Sequence, residues 1–465
     1  MNKTTQVLVI GGGPGGSTAA TLLARQGFTV TLLEREHFPR YHIGESLLPS
    51  CLEILDLVGA REKIEAHGFQ QKDGGYFEWG SDSWTLDFRK LHHPYGFEVV
   101  RSEFDQLLLE HAKSQGVQVF EGVEVQSLAF EGERPRSARW AQADSQGGEE
   151  TGEISFDVLV DASGRAGIMA TRYLQSRYYP DTFQNVAIWG YWQGAKRLED
   201  QPQGAIAVGS IKDGWLWGIP LHTGRMSVGL VMHKTTFKDR RQQVSSLEHL
   251  LRQAIDECPL LCRLLESGEL VTEVRAEQDF SYMTERLAGP GYFLVGDAAC
   301  FVDPLLSTGV HLATSSALLA AASIGSFLRR EATEEQARAF YSASYRQAYL
   351  RIIVLVSGLY QQYNGEASYF WQAQQLTNQD YVASPGLNEA FLQVVSGMED
   401  LKDVTQSARQ LELPSIVPEE EQARAEFMQG VYTSLFKRFS PTEAATDGWY
   451  LYTKPHLGLA RVAAD

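Results

Sequence analysis

Short apolar runs separated by glycine turns and amphipathic stretches organise the first part of the chain. Val7–Ile10 is a β-branched apolar run. Gly11-Gly12-Gly13-Pro14-Gly15-Gly16 follows it, then a helical stretch from Ser17 to Gln26 that Gly27 ends. Thr29–Leu33 reads as the next strand, with Glu34 at its end. A helix is predicted near Pro49–Leu57, and the aromatic segment Gly75–Phe88 reads as strands. Over Ser102–Gln115, Phe104, Leu107, Leu108 and His111 fall on one helical face, with Ser102 as the expected N-cap. Val117–Phe120 and Phe156–Val160 read as strands, and the polar stretch 131–153 as a hairpin tip or surface loop.

Further on, 185–235 is β-rich and aromatic, and 244–267 helical. Tyr292–Val295 is a short apolar strand; Val310–Arg330, 334–364 and 419–438 have helical patterns. Strand–turn–helix units at the start, near 156–165 and near 292–309 are thus separated by β-rich material. This predicts an α/β protein in which one Rossmann-like nucleotide-binding fold is assembled from discontinuous segments, with the intervening strands forming a second domain.

Composition changes the picture mainly by exclusion. The chain has 465 residues, 43 % hydrophobic and 21 % charged, as expected of a globular protein. Its net charge of −17 and the absence of a basic run exclude nucleic acid as the expected partner. Cys51, Cys258, Cys262 and Cys300 form no CxxC pair and lack histidines at ligand spacing, so free thiols in a reducing compartment are expected, with no metal. No signal-peptide pattern precedes Val7, so a cytoplasmic location is expected. Val310–Leu328, the most apolar stretch, contains His311, serines and threonines and reads as a buried helix, not a membrane span.

Candidate chemistry begins at the glycine turn. Gly11, Gly13 and Gly16 match G-x-G-x-x-G between a strand and a helix. The first glycine permits the tight turn, the second lets a pyrophosphate approach the helix start, and the third lets helix and strand pack closely. Glu34, about 20 residues on, stands where a carboxylate accepts a ribose hydroxyl. Asp161-Ala162-Ser163-Gly164 and Gly296-Asp297-Ala298-Ala299 each follow a strand, and Pro304–Gly309 leads into the helix at Val310.

These three blocks resemble the FAD-binding fold of p-hydroxybenzoate hydroxylase-like flavoproteins over roughly the first 330 residues. Trp215-Leu216-Trp217-Gly218-Ile219-Pro220 narrows the likeness: it reads W-x-W-x-I-P, the motif of flavin-dependent halogenases. Lys72 stands where that family has its active-site lysine, and Phe38–Ser46 resembles its flavin-contacting loop. The resemblance implies an FAD-binding domain from 1–75, 95–180 and 275–330, a β-rich substrate domain from 76–94 and 181–274, and a mostly helical substrate-specificity region over 331–465.

It further implies cofactor contacts from Gly11, Gly13, Pro14, Gly15, Gly16, Ser17, Glu34, Arg35, Arg40, Ile43, Gly44, Glu45, Ser46, Arg101, Ala162, Ser163, Gly164, Asp297, Pro304, Gly309 and Val310. Halide is expected at Ser307, Thr308 and Gly309. The implied activity uses FAD as FADH2, O2, and chloride or bromide to make hypohalous acid, which Lys72 hydrogen-bonds or holds as a haloamine. Trp215, Trp217, Ile219 and Pro220 would keep the aromatic substrate from the flavin.

One departure bears on substrate. Tryptophan halogenases carry a glutamate before the Ser-Thr-Gly triplet, where this chain has Leu306. That favours a phenol or pyrrole, free or tethered to an acyl or peptidyl carrier protein, over free tryptophan. Arg329, Arg330, Arg346 and Arg351, or Lys238, Arg240 and Arg241, are the basic residues available to dock such a carrier. With a single G-x-G-x-x-G unit, reduced flavin is expected from a separate flavin reductase. The FAD segments alone also suit an aromatic hydroxylase, an isoprenoid-type reductase or a non-catalytic flavoprotein. The aromatics Tyr360, Tyr363, Tyr369, Phe370 and Trp371 are expected mostly to pack a core.

Overall fold

The computed structural model describes residues 2–371 and 446–462, apart from 92–94, 144–147, 181–182, 362, 369 and 447. The helical pattern over 419–438 and the aromatic Tyr369 lie outside the described residues.

The fold is mixed α/β, as the alternation of apolar runs and amphipathic stretches predicts. Its first sheet has the order Ala288–Gly289, Tyr292–Leu294, Glu149–Asp161, Thr4–Ile10, Val30–Glu34, Gln118–Glu121. The five strands from Tyr292–Leu294 onward run parallel. From Thr4–Ile10 the strand order runs out in both directions, so a crevice opens beyond its carboxyl end and that of Glu149–Asp161. Both central strands are apolar and buried on two faces, Val7, Leu8, Val9, Val158, Leu159 and Val160 all fully so. The helix Pro14–Arg25 packs against Gly309–Leu328 and Arg101–Ser114.

The second sheet is almost wholly antiparallel, in the order Glu269–Leu270, Gln184–Gln193, Arg225–His233, Gly214–Pro220, Ile206–Ile211, Gly74–Trp79, Asp82–Asp87. The Ile206–Ile211 and Gly74–Trp79 pair is parallel. Alternation along Gly214–Pro220 divides its side chains between two cores. Trp215, Trp217 and Ile219 join the main core, while Leu216 joins the core under the helices Leu247–Asp256 and Pro259–Leu265. Gly229 lies opposite Trp217, and a Cβ there would come within 2.1 Å of the indole, so the glycine makes room for the ring.

Several expectations are corrected. Ser102 does not cap its helix: the helix is Arg101–Ser114, its N-cap is Val100, and no side chain caps it. The cap lies two residues earlier than expected, and Arg101, in the first turn, reaches one turn forward to Asp105. Of the two readings of 131–153, the hairpin holds and the surface loop does not, since the antiparallel strands Arg134–Ala143 and Glu149–Asp161 occupy most of it. After the helix Glu334–Gln361, the described C-terminal residues also form the strand pair Trp449–Tyr452 and Gly458–Arg461.

Among the described residues one helix, Gly309–Leu328, is long and apolar enough to cross a membrane, and 89 % of its most apolar window is buried inside the fold. All four cysteines are free.

Candidate active site

A cavity of about 520 Å³ opens in the crevice at the carboxyl ends of the central strands. It collects most of the residues singled out from sequence. Gly11, Gly13, Pro14, Gly15, Glu34, Arg35, Arg40, Ile43, Gly44, Glu45, Ser46, Arg101, Ala162, Ser163, Gly164 and Asp297 line it. So do Trp215, Trp217, Ile219, Pro304, Ser307, Thr308, Gly309 and Val310. Gly16, Ser17, Lys72 and Pro220 do not. Tyr41 and His42 of the Phe38–Ser46 loop and Phe301 also line it, and Ala187, Trp189 and Ile206, which sequence reasoning missed, complete the wall.

The glycine turn fits a dinucleotide pyrophosphate in an uneven way. Gly11 has φ +103°, and a Cβ on it would lie 2.2 Å from the Ala162 carbonyl oxygen. A Cβ on Gly16 would lie 1.9 Å from the Gly11 carbonyl oxygen. These two glycines hold the turn against the neighbouring strand. Gly13 is different: a Cβ there meets only the Arg40 guanidinium, at 3.3 Å, so its backbone faces the cavity. Glu34 Oε2 accepts from the Gly12 N–H at 2.6 Å, and Oε1 from the Glu36 N–H at 2.9 Å.

Arg101 is a brace. Its Nε and Nη2 donate to the two oxygens of Asp105 at 2.8 and 3.0 Å. Its Nη1 donates to the carbonyls of Ile43 and Gly44 at 2.8 and 3.1 Å, fixing the loop that carries Glu45 and Ser46. Burial pushes the Glu45 carboxyl up to about 7, opposed by the Ser227 and Tyr191 hydroxyls and by Arg101. Asp297 is likewise raised by burial, with Arg165 and Arg101 opposing.

At the far wall, Ser307 adopts the left-handed conformation, φ 58°, and Thr308 the right-handed one, just before the Gly309–Leu328 helix. Such a pairing turns consecutive N–H groups into one concavity. No side chain caps this helix, and the buried Thr308 hydroxyl lacks a hydrogen-bond partner. The positive end of a twenty-residue helix therefore faces the cavity.

Trp215 is anchored from the C-terminal side, whereas Trp217 Nε1 donates to Ser227 Oγ at 3.3 Å on the neighbouring strand. Trp215 Nε1 donates to the Tyr360 hydroxyl at 2.7 Å, and that hydroxyl donates to Asp303 at 3.1 Å. Asp303 also accepts from Asn185 Nδ2 at 2.9 Å and from the Leu305 N–H at 3.0 Å. Burial raises its carboxyl to about 6. Trp215 and Trp217 lie 6.1 Å apart, ring to ring. Tyr360 thus does more than pack, whereas Tyr363 and Trp371 stack at 3.6 Å and Phe370 is buried, as a core would have it.

Lys72 is 3 % exposed and sits behind the wall. Its Nζ donates to Ser46 Oγ at 2.6 Å, and Ser46 lines the cavity. Burial lowers the amine, and Glu98 and Cys51 oppose the shift.

Elsewhere, His67 and His222 approach one Glu103 oxygen, at 2.8 and 3.2 Å, the one grouping among the described residues with the spacing of metal ligands. Of the basic docking candidates, Arg329 is held by Glu331, Arg240 by Glu257, and Arg346 by the Glu285 carbonyl.

Fold and site together define a flavin-dependent halogenase. The family model described as tryptophan halogenase matches residues 6–97 and 88–388, and the chain belongs to that family. It is 48 % identical over 412 residues to a tryptophan 2-halogenase of Chondromyces crocatus, covering 88 % of this chain and 78 % of that protein. It is 41 % identical over 380 residues to the flavin-dependent halogenase armH3 of Armillaria mellea, covering 77 % of this chain and 75 % of that protein. The myxobacterial chondrochloren halogenase CndH superposes with a TM-score of 0.75 at 35 % identity, over 95 % of this chain and 99 % of that one.

Proposed function

We propose that this enzyme oxidises chloride or bromide with O2 and reduced FAD, and that Lys72 directs the resulting hypohalous acid onto an electron-rich aromatic ring. The observation that carries this reading is the convergence on one cavity of the glycine turn, the uncapped helix start at Thr308, the two indoles and Ser46, with Lys72 hydrogen-bonded directly behind.

FAD fits these residues: Gly13 leaves the backbone open to a pyrophosphate, Glu34 would accept from the ribose hydroxyls, and Arg35, Arg40, Arg101 and Asp297, which line the same cavity, would help hold it. Bound as FADH2, it supplies with O2 the oxidising equivalent that turns halide into hypohalous acid. The Ser307, Thr308 and Gly309 backbone holds the halide through N–H groups and the helix dipole. Trp215 and Trp217 fill the cavity wall and bar the aromatic substrate from the flavin. Lys72, whose free amine is favoured by burial, receives the electrophile by way of Ser46. Reaction of hypohalous acid with the amine releases water; attack by the ring on the halogen then returns the Lys72 amine, which takes up one proton while a base removes the ring proton.

We assign the flavin domain to 1–75, 95–180 and 275–330, the β-rich substrate domain to 76–94 and 181–274, and substrate choice to 331–465. A separate flavin reductase supplies FADH2. A phenol or pyrrole remains the proposed substrate, because Leu306 offers no carboxylate beside the Ser-Thr-Gly turn. An indole is the second reading, favoured by the relative named a tryptophan 2-halogenase. The test is turnover with reductase, NADH, FAD, O2 and bromide or chloride on phenols, pyrroles and tryptophan, each free and, for the acids, carrier-bound. Halogenated phenol or pyrrole supports the first reading and halotryptophan the second; hydroxylated product alone contradicts both.

A further inference from the structure

Three short segments lie side by side beneath the cavity floor. Gln70–Lys72 pairs antiparallel with Gly96–Glu98, Gln70 opposite Glu98 and Lys72 opposite Gly96. On the other side of that strand, Ser46 bridges Glu98. Directly opposed residues share a face, as do residues two apart, so Lys72, Glu98 and Ser46 point the same way. Their side chains meet. Lys72 Nζ donates to Ser46 Oγ at 2.6 Å, Ser46 Oγ donates to Glu98 Oε1 at 3.2 Å, and Nζ lies 4.0 Å from the same Oε1.

Glu98 is fully buried, and its Oε2 has no hydrogen-bond partner. A carboxylate in that position is costly unless a cation or a proton compensates it. The other titratable groups that act on the pair are Cys51, from the Ser50–Val58 helix, and Glu45, from the loop that carries Ser46. The Phe88 ring lies 5.7 Å from Nζ. Burial raises Glu98 to about 8 and lowers Lys72, so both depart toward their neutral forms.

We infer that Glu98 is the positioning residue for Lys72, holding the amine at Ser46 and taking up its proton through the Ser46 hydroxyl. The transfer balances: Nζ gives a proton to Ser46 Oγ as the hydroxyl proton passes to Glu98 Oε1, turning an ammonium–carboxylate pair into amine and carboxylic acid. The free amine so formed is the species that hypohalous acid can halogenate, with loss of water. This rests on the proposed role of Lys72, and Glu98 touches neither flavin nor substrate.

The experiment uses FAD-loaded enzyme labelled with 13Cε lysine, comparing wild type, Glu98→Gln and Glu98→Asp, with Lys72→Arg to assign the resonance. Removing the carboxylate charge is expected to move the Lys72 titration down by about one pH unit or more. The pH profile of single-turnover halogenation should move with it. In Glu98→Gln the rate should fall at least about tenfold while KM for the aromatic and FAD content hold, with partial recovery in Glu98→Asp. An unchanged Lys72 titration and pH profile in Glu98→Gln overturns the inference. If Glu98→Gln does not fold, Glu98→Met, which removes the charge and leaves no unpaired amide, decides on the same two readouts. Halogenation surviving in Lys72→Ala would sink the role of Lys72, while the titration would still decide whether Glu98 controls its proton.

Discussion

Alanine placed at each glycine of the turn separates a packing role from a flavin-binding one. At Gly16 a Cβ would stand 1.9 Å from a backbone carbonyl that cannot swing away. At Gly11 it would stand 2.2 Å from another, at a φ of +103° that L residues avoid. Overpacking of this kind costs roughly 1–3 kcal/mol or more, and a left-handed non-glycine residue adds about 1–2 kcal/mol. Gly11→Ala should therefore lose about 2–5 kcal/mol, and Gly16→Ala about 1–3 kcal/mol or more, in the FAD-free protein. Gly13 has φ −68° and ψ −176°, extended backbone that alanine adopts without strain. Its Cβ meets only the flexible end of Arg40 at 3.3 Å. Gly13→Ala should keep wild-type stability within about 0.5 kcal/mol. It should weaken FAD binding about tenfold or more, because the methyl group projects where the pyrophosphate approaches. Chemical denaturation of the FAD-free proteins and flavin fluorescence titration give both numbers. Wild-type FAD affinity in Gly13→Ala, or wild-type stability in Gly16→Ala, would refute the reasoning.

Other perturbations probe the braces around the cavity. Arg101→Lys keeps the charge but not the fork, so about 1–3 kcal/mol of stability should go, with weaker FAD binding; equal denaturation midpoints would show that the fork holds nothing. Tyr360→Phe strips Trp215 of its acceptor and Asp303 of a donor, for about 1–3 kcal/mol by the same measurement. Asp303 gives a signed pH dependence. Its folded carboxyl is raised to about 6, so the stability it contributes is complete below about pH 4 and is lost as pH rises through 6. The amplitude is at most about 3 kcal/mol; urea melts from pH 4 to 7 should show a slope in wild type that is shallower by this amount in Asp303→Asn, the remainder coming from the raised carboxyls of Glu45 and Glu98.

What the sequence revealed and what it hid follow from how each feature is encoded. The glycine turn is local: strand, turn and helix follow one another within a few residues, so spacing alone carries its geometry. The two indoles were also legible as a pair, since residues two apart on a strand share a face. Lys72 was placed by likeness to a family, and its surroundings were not readable. Glu98 meets it through strand pairing, and Tyr360 meets Trp215 across 145 residues of chain. Such partners have no spacing signature. Over 131–153 the sequence left hairpin and surface loop open, because the buried side of the strand is made of Pro135, Ser137, Ala138 and Ala141, with Trp140 the one large residue. Small side chains satisfy the burial without showing the apolar alternation that marks a strand. Ser102 had the chemistry of a cap, but the helix begins before it, at Arg101, which pairs with Asp105.

We propose that Lys72, buried behind Ser46, directs halogenation. Mass-spectrometric turnover of wild type and Lys72→Ala tests it most directly, with a flavin reductase, NADH, FAD, O2 and halide on the same aromatic panel. Halogenated product is expected from wild type, and none from Lys72→Ala despite normal FAD binding. Undiminished halogenation by Lys72→Ala, or only hydroxylated product from wild type, would contradict it.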